Sequence, residues 1–150
     1  MYYHVHHYVQ EDDLTVGLHI EESILARMYY GYGGPGEEFD REIVFEQIER
    51  RIKQVTSDPI IIVHMTASLE VIEQRMSELS GTLAHSNSPM KIEDIPEVMS
   101  EYSRLVQKAS IGPVIHIDTS IDTPQKSLNR LVKLMEPYFT ESDRNKINGP

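Results

Sequence analysis

The chain has 150 residues, a formal net charge of -10 and no cysteine. The acidic total argues against non-specific binding to nucleic acid or to an anionic membrane, because surfaces that bind these are normally basic. The lack of cysteine excludes disulfides, zinc–thiolate sites and thiol catalysis. The length predicts a single domain, and because no apolar run reaches the roughly 20 residues of a membrane span, we expect a cytoplasmic protein.

The first third of the chain predicts mostly helix. Residues 2–9 fit a strand or a helix equally well, and Leu14–Val16 is a short strand candidate. Apolar spacing predicts a helix over His19–Tyr30, with Ile20, Ile24, Leu25 and Met28 on one face. A second, long helix is predicted over Glu37–Val55. Its apolar stripe consists of Phe39, Ile43, Val44, Ile48, Ile52 and Val55.

Two apolar runs rich in β-branched residues follow, at Pro59–Thr66 and Pro113–Ser120. Continuous runs of this kind are typical of strands covered on both faces, as in parallel α/β sheets. Each run leads into a predicted helix, Ser68–Leu79 in the first case and one starting at Thr123 in the second. The second helix has Thr123 as its N-cap and proline at its first position, and its expected buried residues are Leu128, Leu131, Val132 and Met135.

The remaining segments lie between and after these units. Residues 80–89 are polar and rich in helix breakers, which predicts a mobile loop. Helical spacing is most regular in the following segment, where it predicts a buried stripe made of Ile95, Val98, Met99, Tyr102, Leu105, Val106 and Ala109. The tail from about residue 141 to 150 is polar and is expected to fray.

The glycine-rich segment Gly31–Gly36 matches the letters of the dinucleotide fingerprint G-x-G-x-x-G. That fingerprint needs a strand before it, whereas here a helix is predicted, and Pro35 removes one backbone N–H group. We therefore interpret the segment as a connector.

The histidines have ordinary explanations. His4, His6 and His7 are interpreted as surface residues rather than a metal site. His64 and His116 lie inside apolar runs and are expected to be core histidines with hydrogen-bond partners.

Polar side chains gather where each predicted strand passes into its helix, the edge at which open α/β sheets bind ligands. Arg75, two turns into the helix after the first strand, is either a surface ion-pair partner or a guanidinium that meets a phosphate or stacks on a base. Asp118, Thr119 and Ser120 close the second strand and suit loop capping as well as ligand binding. Glu22 is either a favourable charge in the first turn of its helix or a binding residue.

Taken together, residues 13–139 resemble the C-terminal two-thirds of thymidylate-kinase-like P-loop nucleoside and nucleotide kinases. The resemblance rests on two segments, Leu18-His19-Ile20-Glu21-Glu22 leading into Met28-Tyr29-Tyr30-Gly31, and the run from Ile61 to Met76. It implies an α/β fold of three layers, in which helices flank a mostly parallel sheet. It also implies ATP and Mg²⁺ as cofactors and a nucleoside or nucleotide as substrate, with no nucleic-acid or membrane partner. The oligomeric state stays open, with a homodimer as one option.

The resemblance also assigns residues. It implies that Glu22 and Tyr29 line a nucleoside pocket. On the ATP side it implies Arg75 together with Asp118, Thr119 and Ser120. The lid would occupy about residues 80–93.

The departures from that family bear on activity. The chain contains no G-x-x-x-x-G-K-[ST] loop, the family's Asp-Arg pair falls on Val16-Gly17, and the lid segment has no arginine. Phosphoryl transfer depends on the phosphate-binding loop, its lysine and magnesium, so we expect the chain as given to be inactive. We favour a kinase-like domain truncated at its N-terminus; the alternatives are that residues 2–9 fill the central strand position or that the sheet rearranges. A non-catalytic domain that binds a nucleotide or a protein is the alternative function.

Overall fold

The computed structural model describes residues 14–57, 59–79 and 89–148. Within these ranges the fold is mixed α/β, with six α-helices and one parallel pair of strands. The α/β prediction is confirmed at that level. The helices predicted from apolar spacing form close to their predicted bounds, and none of the described helices is long and apolar enough to cross a membrane.

A layer of three helices packs around one apolar cluster. The helices are α1 (Leu18–Tyr29), α2 (Arg41–Val55) and α4 (Ile95–Lys108), and α1 contacts both of the others. Ile24, Phe45 and Leu105, one from each helix, are almost fully buried at its centre. The apolar spacing predicted for α4 is confirmed, since Ile95, Val98, Leu105 and Val106 are all buried.

The sheet consists of β1 (Ile62–Thr66) and β2 (Val114–Asp118), which pair in parallel from Ile62↔Val114 to Thr66↔Asp118. Helix α3 (Leu69–Leu79) follows β1, and α5 (Pro124–Met135) follows β2 and packs against it. Two short 3-10 turns precede α4 and follow α5, at Ile92–Asp94 and Glu136–Tyr138. Thr123 caps α5 as predicted.

The start of β2 depends on Gly112. A Cβ at this position would overlap the carbonyl oxygen of Ile60, far inside van der Waals contact. Only glycine therefore lets the two chain segments that enter the sheet approach this closely.

The prediction that both strands are covered on both faces is wrong. In β2 burial alternates along the strand: Ile115 and Ile117 are buried, whereas His116 and Asp118 are exposed. In β1 Met65 is 63% exposed. The apolar runs were long enough to suggest a fully covered sheet, but among the described residues each face is covered only in part. Met65 is exposed beside its buried register partner Ile117 on one face, and His116 is exposed on the other.

Two predicted apolar stripes need correction. In α2 the fully buried residues are Phe45 and Glu49, whereas Phe39, Ile43 and Val55 are more than half exposed. Phe45 packs against Ile24 and Leu105, and Glu49, one turn later on the same side of the helix, is held in the interior by polar partners.

In α5 only Ser127 is fully buried, and Leu128 is 51% exposed. The apolar side of α5 faces a cavity, described below, rather than a closed core.

Two terminal segments also differ from expectation. Leu14–Val16 forms no strand, and the side chains of Leu14 and Val16 are 92% and 85% exposed. Residues 141–148, expected to fray, form helix α6 (Glu141–Asn148). Its start is fixed by a capping box, in which the Asp143 carboxylate accepts from the backbone and hydroxyl of Thr140 and the Thr140 hydroxyl accepts from the backbone of Asp143.

Candidate functional site

The carboxyl ends of the two strands are joined by a compact polar network. The backbone N–H and the hydroxyl of Thr119 both donate to the carbonyl oxygen of Thr66, at 2.8 and 2.9 Å. The backbone N–H of Ser68, which precedes α3, donates to the hydroxyl oxygen of Ser120 at 2.8 Å. The Ser120 hydroxyl and backbone in turn donate to Oδ1 of Asp118. We call Thr66, Ser68, Asp118, Thr119 and Ser120 the strand-end cluster.

Arg75 extends from α3 to this cluster. Its Nη1 donates to the Thr119 hydroxyl at 3.0 Å, and its Nη2 donates to the Thr119 carbonyl at 2.8 Å. The prediction that Arg75 points toward residues 118–120 is therefore confirmed, although the residue keeps much of its surface exposed. Two of the five guanidinium N–H groups are used in this pair of bonds. Whether Arg75 also binds a ligand stays a prediction.

A cavity of about 380 Å³ opens beside Arg75, between the strand ends and α5. This volume lies in the range of small-molecule pockets, about 300–1,000 Å³. Its walls are mainly apolar, with a few polar groups at the rim; they are formed by Met65, Arg75, Ile117, Thr119, Asp122, Pro124, Ser127, Leu128 and Leu131.

Two carboxylates, Asp118 and Asp122, carry negative charge at this edge of the sheet. The Ser120 hydroxyl and then the Ser120 backbone hold the pKa of Asp118 below its ordinary value, so this carboxylate is ionised at neutral pH. At the rim, Asp122 lies 4.0 Å from Arg130. Among the residues that the structure describes, no three His, Asp or Glu side chains are grouped so as to hold a metal ion. Of the polar residues at the strand ends, Asp118 is therefore the charged member of the strand-end cluster, and we derive no step through magnesium.

The residues predicted to line a nucleoside pocket lie on α1 with partners of their own. The Glu22 carboxylate accepts from the Tyr32 hydroxyl at 2.8 Å and lies 3.3 Å from the guanidinium of Arg41. The Tyr29 hydroxyl donates to Asp94 at 2.9 Å. Burial and then this hydrogen bond raise the pKa of Tyr29 to about 12.

Within the described ranges, no hydrogen bond or ion pair links Glu22 or Tyr29 to the strand-end cluster. The structure thus brings Arg75, Asp118, Thr119 and Ser120 together but does not join the two α1 residues to them.

The glycine-rich segment is a connector between two helices, as predicted. The backbone N–H groups of Gly33 and Gly34 donate to the carboxylate of Glu37, and that of Gly36 donates to Asp40. These are the groups that a phosphate would need, and carboxylates of the same loop already occupy them.

The interpretation of the two strand histidines as core residues is wrong. His64 and His116 are register partners on the open face of the sheet, half-buried and exposed respectively. Their Nδ1 atoms lie 3.3 Å apart, so each histidine finds its hydrogen-bond partner in the other. His4, His6 and His7 lie outside the described residues. So does most of the predicted lid, of which the structure describes only the last part, ending in the 3-10 turn at Ile92–Asp94.

A buried polar network in the helical layer was not predicted from the sequence. His19 and Glu49 are both almost fully buried, and Nε2 of His19 lies 3.2 Å from Oε1 of Glu49. The other carboxylate oxygen accepts from the backbone N–H and the hydroxyl of Ser110, at 2.7 and 2.8 Å. The carboxylate stands between the serine and the imidazole, whereas in serine hydrolases the imidazole contacts the serine. The network therefore joins α1, α2 and the segment after α4, and we assign it a structural role.

Comparisons of the chain with family models, curated proteins and solved structures found no match.

Proposed function

We propose that the chain binds an adenine nucleotide at the carboxyl ends of β1 and β2. The observation that carries the proposal is the guanidinium of Arg75, oriented by two hydrogen bonds to Thr119 beside an apolar cavity of about 380 Å³. A planar guanidinium fixed in this way can stack on a base or bond a phosphate with its remaining N–H groups. The apolar walls at Met65, Ile117 and Leu128 suit the faces of a purine.

The position of the cavity supports the same ligand class. Ligands of open parallel sheets bind outside the carboxyl ends of the strands, and the cavity lies at these ends. By resemblance to thymidylate-kinase-like enzymes, Arg75 and residues 118–120 would form the ATP side of the site, with residues 118–120 beside the adenine. On this proposal the chain provides that side of a nucleoside or nucleotide kinase.

Nucleotide binding at this edge does not by itself provide phosphoryl transfer. Phosphoryl transfer needs a phosphate-binding loop that neutralises the developing charge, and no such motif occurs in the 150 residues. The missing loop, together with Val16-Gly17 in place of the family's Asp-Arg pair, favours a second candidate function. In this second case the chain is a kinase-derived domain that binds a nucleotide or a protein partner without turnover. Both candidates share the same binding edge, so the first experiment addresses binding.

The test is a titration of the isotope-labelled chain with adenosine, AMP and ATP, followed by amide NMR. We expect shifts centred on Met65, Ile117 and Leu128. Arg75→Gln should weaken ATP binding by about tenfold or more, because a charge-assisted contact contributes roughly 1.5–3 kcal/mol. Arg130→Gln is the matched control, since Arg130 lies on α5 near the same rim and pairs with Asp122; its ATP affinity should stay unchanged.

A second variant acts on the cavity alone. Leu128 lines it and is 51% exposed, so Leu128→Trp should fill the space without touching Arg75 and should abolish adenosine binding. Binding that survives both Arg75→Gln and Leu128→Trp would refute the proposal. So would the absence of any shift at millimolar ATP. In an assay of radiolabelled phosphate transfer to thymidine, deoxycytidine or their monophosphates, the chain alone should not exceed a no-protein control.

A further inference from the structure

His64 and His116 stand opposite one another in the middle of the two strands. The parallel ladder places them in register, with Val63↔Ile115 before them and Met65↔Ile117 after them. Both rings extend from the open face of the sheet, and they cross at 71° with their centroids 5.3 Å apart. The ladder therefore fixes the spacing of the two histidine backbones, and the side chains bring their rings into contact above it.

That spacing matches the bite of a metal chelate. Two imidazole nitrogens that bind a tetrahedral ion at about 2.0–2.1 Å lie about 3.3–3.4 Å from each other, from the tetrahedral angle alone. The Nδ1 atoms of His64 and His116 are 3.3 Å apart. An ion with ligands at right angles would need a shorter separation, about 2.9 Å, so the geometry favours tetrahedral ions.

We infer that His64 and His116 form a two-histidine chelate for a late first-row transition-metal ion, with Zn²⁺ the preferred natural class. Imidazole ligands select Zn²⁺, Cu²⁺ and Ni²⁺ over Mg²⁺ and Ca²⁺, which prefer oxygen ligands. The two remaining positions of a tetrahedral ion face solvent, where water or an exogenous ligand occupies them.

Metal binding requires a free lone pair on Nδ1 of each ring. In the hydrogen-bonded pair one Nδ1 carries the proton that the other accepts. When a metal binds, that proton moves to Nε2 of the same ring, so both Nδ1 atoms coordinate and no net charge is lost from the imidazoles.

Asp118, two residues after His116, lies on the same face of the sheet because side chains alternate along a strand. It accepts hydrogen bonds from the backbone and hydroxyl of Ser120, which hold it in the strand-end cluster. The site therefore rests on the two histidines alone. This makes the metal separable from the proposed nucleotide, which binds on the other side of β1 and β2.

The test uses the full chain with His4, His6 and His7 changed to Gln, which removes competing imidazoles near the N-terminus. Calorimetric titration with Zn²⁺ should give one ion per chain. His64→Gln and His116→Gln should each weaken Zn²⁺ binding by at least about tenfold, and the double variant should lose little more, because a chelate is already broken by one change. Two independent histidines would each retain their own weak binding, and this additive result would overturn the inference.

A spectroscopic measurement on the chain that keeps both His64 and His116 tests the chelate even if a variant fails to fold. In the same background, Zn²⁺ should shift the Nδ1 resonances of both His64 and His116 in a ¹⁵N spectrum of the imidazoles. Co²⁺ should give the visible absorption of a tetrahedral ion. Saturating Zn²⁺ that leaves either Nδ1 resonance unchanged would refute the chelate.

Discussion

Replacement of Glu49 by alanine is expected to remove a large part of the stability of the fold. Glu49 is 3% exposed. Its carboxylate makes hydrogen bonds with three groups, which are Nε2 of His19 and the backbone N–H and hydroxyl of Ser110. Removal of one member of a buried, hydrogen-bonded pair typically costs 3–5 kcal/mol. Because Ser110 is exposed enough to regain water, we expect the lower end, about 3 kcal/mol, for Glu49→Ala.

The loss of hydrogen bonding at the His19 imidazole adds to the destabilisation expected for Glu49→Ala. Nδ1 of His19 is buried and has no hydrogen-bond partner among the residues that the structure describes. Once Glu49 is gone, neither ring nitrogen has a protein partner, although the ring still packs against Phe45 with centroids 4.8 Å apart. Glu49→Gln keeps the shape and one acceptor oxygen, so it should cost less than Glu49→Ala.

Urea unfolding followed by far-ultraviolet circular dichroism measures the effect. A loss of about 3 kcal/mol lowers the midpoint by about 1.5 M urea when the slope is about 2 kcal/mol per molar. The matched control is Glu46→Ala, on the same helix. The Glu46 side chain is 52% exposed and pairs with Lys108, so its loss should cost less than about 1 kcal/mol. Equal costs for Glu46→Ala and Glu49→Ala would refute the assignment of Glu49 as a buried anchor.

Three further predictions concern single contacts. In an absorbance titration, Tyr29→Phe should remove one transition near pH 12, because burial and the hydrogen bond to Asp94 raise the pKa of Tyr29 to about 12. The unfolded chain loses the Tyr29 proton at about pH 10, whereas the folded chain keeps it to about pH 12. The stability of the fold should therefore fall as pH rises from about 10 to about 12. Gly112→Ala should destabilise by about 1–3 kcal/mol or more in the same urea assay, because the new Cβ meets the carbonyl of Ile60, and an unchanged midpoint would contradict this. Thr123→Ala should cost about 0.5–1 kcal/mol through loss of the α5 cap, and a midpoint equal to that of the unsubstituted chain would count against the cap.

Local signals in the sequence were sufficient for most of the elements. The spacing of apolar residues located α1, α4 and both strands, and Thr123-Pro124 located the first turn of α5. Helix α6 carried an equally local signal that the sequence analysis passed over, the Thr140-x-x-Asp143 capping box. Boundaries were less accurate where loop chemistry decided them. The predicted start of α2 at Glu37 moved to Arg41, because Asp40 accepts the N–H of Glu42 and caps the helix there.

Interactions between distant residues were not predictable in the same way. His19 and Glu49 are thirty residues apart, and an apolar pattern assigns a glutamate to solvent unless its partner is known. The error in the α2 stripe has this origin, since Glu49 and Phe45 lie on one face and turn inward together. The two strand histidines show the converse: their apolar neighbours predicted burial, but on the open face of the sheet His64 is only half-buried and His116 is exposed.

The same distinction applies to the candidate site. Arg75 was selected because of its position after a strand, and the structure places it against Thr119, forty-four residues away. This contact is compatible with a structural role and with a binding role. The guanidinium links α3 to the end of β2, and it also lies beside the cavity. The roles differ in what Arg75→Gln changes. A purely structural bond would lower stability and leave adenosine and ATP affinities in their original ratio, whereas a phosphate contact would weaken ATP binding and spare adenosine. A changed ratio of the two affinities therefore identifies a phosphate contact, independently of any loss of stability.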